Sequence, residues 1–277
     1  MRIDLHCHSL CSDGVDAPEA VARAALARKV ELFALTDHDT CAGCDVIASA
    51  LGAAALRGVE ISCDDGAGTV HVLAYGGGAT WAELERALDD RIEARRTRLR
   101  VIAAQLKVHR GVKLDIEPIL AAAGTRAVGR PDLARAMIAQ KIVGSMKEAF
   151  SRYLYDGGPG DAPGHRLPIA EALAMGRAVG AKMALAHPHQ LGDRAAPLVK
   201  RHKADGLDGI EAYYGPYTPQ DRAHWAKIAD ELGVIATAGS DRHEPGDAEL
   251  GVDVPDDRAK RLTAWVRGEA SRAPASR

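Results

Sequence analysis

The sequence predicts an α/β fold, a parallel sheet or barrel interrupted by a block of helices. Three observations predict it. From Ile3 to Tyr75 short apolar runs alternate with Ala-rich helical stretches, the pattern of successive βα units. From Trp81 to about residue 165 only helical periodicity is found, and from Ile169 to Ala238 the alternation resumes.

Taken in order, Ile3 to His8 reads as a strand. Ala17 to Lys29 reads as a helix, opened by Pro18 and Glu19, which suit a first helical turn. Leu32 to Thr36 is a strand, Cys44 to Arg57 a helix, and Gly58 to Ser62 and Thr69 to Tyr75 are strands. Helical pieces follow at 81–105, Ile116 to Ala123, Pro131 to Gln140 and Met146 to Tyr155. The Gly/Pro-rich run Asp156 to Gly164 ends this block. Then come helix Ile169 to Gly180, strand Met183 to Ala186, helix Ala195 to Ala204, strand Gly209 to Tyr213, helix Pro219 to Leu232, strand Val234 to Ala238 and helix Asp257 to Ala270. The expected organisation is one α/β domain, 1–80 and 166–270, with a helical insertion or cap at 81–165 and a flexible tail at 271–277.

With 277 residues, 47% hydrophobic and 27% charged, the chain can bury a sizeable core. Disordered, collagenous and membrane-spanning classes are excluded. A formal charge of −2 provides no global field for a nucleic-acid backbone or an anionic membrane. Double-stranded DNA and membranes are therefore not expected partners, and any phosphate must be held locally.

The five cysteines are an odd set that does not read as a disulfide framework, and a reducing cytoplasm fits them better. The N-terminal residues lack the long apolar core of a signal peptide and read as a buried strand. Cys41 and Cys44 have C-x-x-C spacing, so a zinc site with Cys7 and Cys11 is an alternative. Against it, Cys7 alternates with His6 and His8 and should face the opposite way. Small buried thiols are the favoured reading.

The histidines stand out: 11 of them, against two Phe. His6, His8, His38, His71, His187 and His243 lie in strands or just beyond them, with Asp13, Asp37, Asp39, Glu60 and Asp241 close by in sequence. Strand ends of a parallel barrel converge on one face. His6 and His8, two apart on a strand, project from the same face, as two ligands of one ion should. Each residue alone suits a core, turn or cap role. Gathered at one end, six buried imidazoles and several carboxylates would be costly without cations, and mixed N/O donors suit Mn²⁺, Fe²⁺ or Zn²⁺.

The ordered motifs Asp4-Leu-His-Cys-His-Ser9, Ser12-Asp-Gly14, Ala34-Leu-Thr-Asp-His-Asp39, Gly58-Val-Glu60, His71, Ala186-His-Pro188 and Gly239-Ser-Asp-Arg-His243 span most of the chain. Together they resemble the polymerase and histidinol phosphatase (PHP) family. The resemblance is strongest to its TrpH-like branch of stand-alone phosphoesterases, which includes nucleoside 3′,5′-bisphosphate phosphatase and a 5′-to-3′ exoribonuclease. Gly129-Arg-Pro131 also resembles that branch. The resemblance implies a distorted (β/α)7 barrel and a centre of three divalent metals, Mn²⁺ foremost. It further implies that His6, His8, Glu60 and Asp241 hold one ion, Glu60, His71 and His187 a second, and Asp13, His38 and His243 the third. The implied chemistry is phosphoester hydrolysis by a metal-bridging hydroxide held by Glu60 and its partners. No nucleophile-elbow serine or P-loop offers another route.

For substrate, Arg130 is the candidate phosphate clamp and His189 a second phosphate contact, both acting at the reacting phosphate. Tyr214 and Tyr217, with Tyr213, could stack on a base. A small nucleotide is expected, a nucleoside 3′,5′-bisphosphate best, with short RNA as a further candidate. Another phosphatase of the family, acting on histidinol phosphate, a nucleoside monophosphate or a cyclic phosphate, is an alternative, and a non-catalytic metal-bound module is another. Two departures from the branch bear on the substrate: Asp132 and Tyr217 stand where the branch has His. The basic run Arg91 to Arg110 reads as a solvated helix face, with steering of anionic substrate as the alternative.

Overall fold

The computed structural model describes residues 1–76, 81–155, 157–162 and 166–269. His165 and the expected tail 271–277 lie outside the described residues. The chain divides into two compact units, Met1–Arg86 with Arg166–Arg277, and Ala87–His165. Among the described residues no helix is long and apolar enough to cross a membrane.

In the first unit the order is β1 (Arg2–Asp4), α1 (Pro18–Ala27), β2 (Leu32–Ala34), α2 (Cys44–Leu51), β3 (Ala55–Leu56), β4 (Gly58–Asp64) and β5 (Thr69–Tyr75), and the boundary between the units falls within the next helix, α3 (Ala82–Asp89). The second unit contains α4 (Ile92–Arg110), α5 (Glu117–Ala123), α6 (Arg130–Ala139) and α7 (Met146–Ala149), which runs into a π-helical turn, Phe150–Leu154. The first unit then resumes with β6 (Leu167–Pro168), α8 (Ile169–Ala178), β7 (Lys182–Leu185), α9 (Ala195–His202), β8 (Leu207–Tyr214), α10 (Pro219–Leu232), β9 (Ile235–Gly239), β10 (Val252–Asp253) and α11 (Asp256–Val266).

The strands form two mixed sheets, ordered β10-β1-β2-β3 and β6-β4-β5-β7-β8-β9. The expectation of an all-parallel sheet needs correction at β5. Only four residues separate it from β4, room for a hairpin and not for a crossover. It therefore pairs antiparallel with β4, and with β7 on its other side. β10 also pairs antiparallel, with β1, and the remaining neighbours β1·β2, β2·β3, β4·β6, β7·β8 and β8·β9 are parallel. Main-chain bonds also link the two sheets. Leu5 N donates to Ala238 O at 2.9 Å and Asp241 N to His6 O at 2.7 Å. Isolated parallel bridges join Cys7 to Arg242 and His38 to Glu60.

Local chemistry explains several boundaries. α10 begins where expected because Thr218 caps it, exchanging hydrogen bonds with Asp221, with Pro219 in the first turn. It ends at Gly233, left-handed at φ 62°. α2 is shorter than the predicted 44–57 because Gly52, at φ 54°, turns the chain out of the helix. The first strand ends at Asp4, yet the chain stays extended through His8, bonding Ala238, Arg242 and Thr36 in place of a continuous ladder.

One core cluster packs Val21, Phe33, Leu35 and Ile47 around Cys7, so Cys7 does face away from His6 and His8. The helical unit has its own core, including Leu99, Ile102, Leu106, Leu133, Met137 and Leu154. At about 1.5–3 kcal/mol per buried side chain, this is enough apolar burial to order the unit's helices around a common interior. The basic run is not simply a solvated face. Arg95 donates to Val128 O, Arg96 to Leu120 O and Gly124 O, and Arg98 to Ala162 O.

Candidate metal centre

Each side chain of the centre is placed by a constraint the local sequence imposes. His6 and His8 project together from the extended segment after β1, while Cys7 N bonds Thr36 Oγ1. Asp13 sits on a tight turn closed by Gly14 N to Ser9 O at 2.9 Å. Gly14 is needed there, since a Cβ would fall 2.7 Å from the His8 carbonyl carbon. His38 follows β2 and bridges to Glu60. In the β4/β5 hairpin Ser62 is opposite His71 and Glu60 opposite Leu73, so His71 is a diagonal neighbour of Glu60. His187 and Asp241 follow β7 and β9 at φ 25° and 53°. Two non-glycine residues held in left-handed conformations mark a place where the fold spends local stability on geometry.

Glu60, 1% exposed, is the hub. Its Oε2 lies 3.4 Å from His6 Nε2, 3.2 Å from His8 Nε2 and 3.0 Å from His38 Nδ1. Its Oε1 lies 2.9 Å from His71 Nδ1 and 3.1 Å from His187 Nε2. Asp241 Oδ1 stands 3.2 Å from His6 Nε2 and 3.3 Å from His8 Nε2. Asp13 is 3.6 Å from His38 Nε2 and 3.4 Å from His243 Nε2. All nine residues expected to hold metal thus come together.

His187 Nε2 is hydrogen-bonded to Glu60 Oε1, but several of the other contacts have ligand spacing without hydrogen-bond geometry. His6 Nε2, His8 Nε2, His38 Nδ1 and Glu60 Oε2 are buried with no hydrogen-bond partner of acceptable geometry, a costly arrangement for a pocket of protein atoms alone. Donor atoms about 2.1 Å from one ion stand about 3.0–3.4 Å from each other at octahedral or tetrahedral angles. Ligand atoms that could share an ion occur in the groups His8/Asp13/His38/His243, His6/His8/Asp241, His6/Glu60/His187 and His38/Glu60/His71. None of these groups contains a cysteine, so the C-x-x-C zinc alternative gains no support. Cys41 and Cys44 both place their thiols against Gly58 O.

The charge pattern also fits cations. Burial alone would raise the Glu60 carboxyl, but the imidazoles of His38, His71 and His6 hold it well below the usual carboxylate range. Burial likewise opposes ionisation of Asp13, and His38 and His243 overcome it. Burial lowers His8, yet Asp241 and Glu60 outweigh it and push the imidazole up to about 10. His71 goes the other way: burial takes it down to about 4, outweighing the pull of Glu60. The carboxylates are thus held ionised by the imidazoles around them, and divalent ions would take the place of the imidazole protons.

Comparison with known proteins bears directly on this centre. No family model matches the chain. The chain is 32% identical over 257 residues to a 3′,5′-nucleoside bisphosphate phosphatase of Chromobacterium violaceum, covering 89% of this chain and 88% of the relative. It is 31% identical over 252 residues to the 5′-3′ exoribonuclease Rnm of Salmonella typhimurium, covering 87% and 85%. A solved structure from Bifidobacterium adolescentis, assigned as a metal-dependent phosphoesterase, superposes with a TM-score of 0.79 at 26% identity, covering 94% of this chain and 95% of that one. The chain belongs to the PHP family of metal-dependent phosphoesterases.

The chain surrounds its cluster with supporting residues, and several of these were not evident from the sequence. Glu211 on β8 is fully buried against His6. Asp37 accepts from Ser9 N, Ser9 Oγ and Ser12 Oγ, fixing the turn that carries Asp13. Asp4 accepts from Ser240 N and Gly251 N at 2.9 and 2.8 Å. Glu211 falls within an apolar strand run, Leu207–Tyr214, and a carboxylate in such a run was the signal available.

The substrate candidates are distributed over both units. His189 and Tyr217 are bonded, Nδ1 to OH at 2.9 Å, and both rings lie near Tyr214, with centroids 5.3 and 4.9 Å away. Tyr214 OH donates to Asp241 Oδ2 at 2.8 Å, tying this aromatic group to the centre. Arg130 donates to Leu154 O at 2.8 Å within the helical unit and its guanidinium lies over Phe150. Both departures from the branch have local partners. Asp132 accepts from Arg126 and from Gly129 N, closing the start of α6, and Tyr217 holds His189. Of the histidines without a motif, His202 pairs with Asp205 and His224 meets the Trp225 ring edge-to-face.

Proposed function

We propose that this PHP-family phosphoesterase holds three divalent ions in the nine-residue cluster and hydrolyses a phosphate ester of a small nucleotide, best a nucleoside 3′,5′-bisphosphate. The observation that carries the reading is the convergence of His6, His8, His38 and Glu60 atoms, buried and lacking hydrogen-bond partners, on one lining. His6, His8, Glu60 and Asp241 would hold one ion, Glu60, His71 and His187 a second, and Asp13, His38 and His243 a third. The separations around Glu60 Oε1 support the second set and those around Asp13 the third, while His38 Nδ1 also reaches Glu60 Oε2 at 3.0 Å and so stands between the first ion and the third. The mixed imidazole and carboxylate set suits Mn²⁺, Fe²⁺ or Zn²⁺, and Mn²⁺ is the ion the family resemblance favours. When bound, such ions supply an acidified water as nucleophile and neutralise charge that grows on the phosphoryl oxygens.

The chain's own side chains would then select and hold the substrate. With Nδ1 engaged by Tyr217, His189 has Nε2 left to meet a phosphate oxygen. Tyr214, anchored on Asp241, and Tyr217 offer ring faces for a base. Arg130 is the proposed clamp on the phosphate, supported by the Gly129-Arg130-Pro131 sequence. The helical unit is the proposed cap, supported by its place between two runs of βα alternation. A distorted seven-stranded barrel is the proposed frame. The main-chain bonds from β9 to the segment after β1, and from His38 to β4, support closure of the two sheets on each other. A reducing compartment suits the five free thiols, and the cytoplasm is the proposed location.

A second reading, attack at the end of a short RNA, is favoured by the exoribonuclease relative. A turnover screen with Mn²⁺ separates the two, reading inorganic phosphate from monoesters and released or ring-opened nucleotide from oligoribonucleotides and cyclic phosphates. It would compare nucleoside 3′,5′-bisphosphates, monophosphates, cyclic phosphates and 5′-phosphorylated oligoribonucleotides. Bisphosphates turning over at least tenfold faster, as kcat/KM, is the expected outcome. Preference for the oligonucleotides would replace that substrate, and release from none would support a non-catalytic module.

A further inference from the structure

The buried carboxylate of Glu211 is not among the nine proposed ligands, yet it touches two of them. Its Oε1 and Oε2 lie 3.0 and 3.2 Å from His6 Nδ1, and Oε2 also accepts from the backbone N–H of His187 at 2.7 Å. Glu211 and His6 side chains are both fully buried. The ladder between β8 and β9 shifts register just after Glu211, the kind of irregularity that re-aims a strand side chain. Across that ladder Gly239 leaves room for the pair: a Cβ there would lie 2.2 Å from His6 Cβ and 2.9 Å from Glu211 Oε1.

We propose that Glu211 is a positioning residue that fixes His6 and His187 together as metal ligands. The argument is one of donors and acceptors. A carboxylate can only accept, so Nδ1 of His6 carries the proton and Nε2, the atom facing Glu60 and Asp241, presents its lone pair. The same carboxylate pins the backbone of His187, whose φ of 25° and ψ of 63° need holding. One side chain from β8 thereby couples a ligand beyond β1 to a ligand beyond β7. These two belong to different proposed ions, so Glu211 ties the two sites into one geometry. The inference rests on the reading of His6 and His187 as ligands.

Glu211→Gln tests it with little change of volume. An amide oxygen kept on His187 N–H sets the NH2 group about where Oε1 stands, 3.0 Å from His6 Nδ1, where it opposes the Nδ1–H tautomer. Mn²⁺ affinity, measured by competition with a chromophoric chelator on full-length protein, is expected to fall about 10–100-fold, with the circular dichroism spectrum unchanged. Affinity within twofold of wild type would overturn the assignment. Wild-type protein that binds no Mn²⁺ would instead defeat the ligand reading itself. If the variant does not fold, ¹⁵N-histidine spectra of Zn²⁺-loaded wild type decide the matter. A proton on His6 Nδ1 is expected, and a proton on Nε2 would overturn the proposal.

Discussion

Gly239 shows how finely the centre is fitted. It is the last residue of β9, and any side chain there would strike His6 at both its Cβ and its backbone nitrogen. Neither atom is the free end of a flexible chain, so the neighbour cannot simply swing away. Gly239→Ala is expected to cost about 1–3 kcal/mol by overpacking and to lower bound metal, checked by urea unfolding and by metal analysis of the purified variant. At this scale the candidate ligands were legible and the residues bonded to them were not. His6 and His8 announce themselves by a two-residue spacing on an extended segment, and Glu60 by its place in an ordered set of motifs. Glu211 is 205 residues from His6, and no local pattern connects them. Asp37 and Asp4 read as further carboxylates in the motifs, but their hydrogen bonds to Ser12 and Gly251 exist only after the chain has folded.

Among the elements, α6 carries the candidate clamp Arg130 and depends on Asp132. That carboxylate, 5% exposed, accepts from Gly129 N at 2.8 Å and pairs with Arg126 at 2.6 Å. It does the work of an acidic residue in a helix's first turn, where the unbonded N–H groups and the dipole favour negative charge. Asp132→Ala is expected to destabilise the helical unit by about 1–2 kcal/mol, read from the denaturation midpoint. An unchanged midpoint would show that the cap contributes nothing. The arginines of α4 act on neighbouring elements in the same manner. Arg96 donates to the carbonyls of Leu120 and Gly124 at the end of α5, where a cation also meets the negative end of the helix. Composition alone reads such a run as a solvated face, because which carbonyls lie opposite is a tertiary fact. Strand direction was hidden for a related reason. Periodicity locates β4 and β5 but does not encode their sense, and the four-residue connection was the local cue to the hairpin.

The molecule as a whole has a net charge of −2 spread over nearly balanced acids and bases, while its buried centre concentrates ionised carboxylates and imidazoles. Divalent ions bound only by the folded protein would stabilise it by mass action, about 4 kcal/mol per site at a thousandfold excess over Kd. Removing metal with a chelator is therefore expected to lower Tm by several degrees or more, and adding back Mn²⁺ to restore it in a concentration-dependent way. A Tm indifferent to both treatments would contradict a metal site of this size. The overall α/β alternation and the helical interruption were visible in the sequence because hydrophobic period reports element type. How the two sheets are tied together was not, since it depends on single main-chain bonds such as Asp241 N to His6 O.

The most direct test follows phosphate release from a nucleotide panel by three proteins, wild type, His8→Ala and Asp241→Ala, each stripped of metal and then reloaded with Mn²⁺. Wild type is expected to lose activity on stripping and regain it on reloading, with both variants inactive and depleted in bound metal. Wild-type activity that survives the chelator, or full activity in either variant, would contradict a metal-centred active site at these residues.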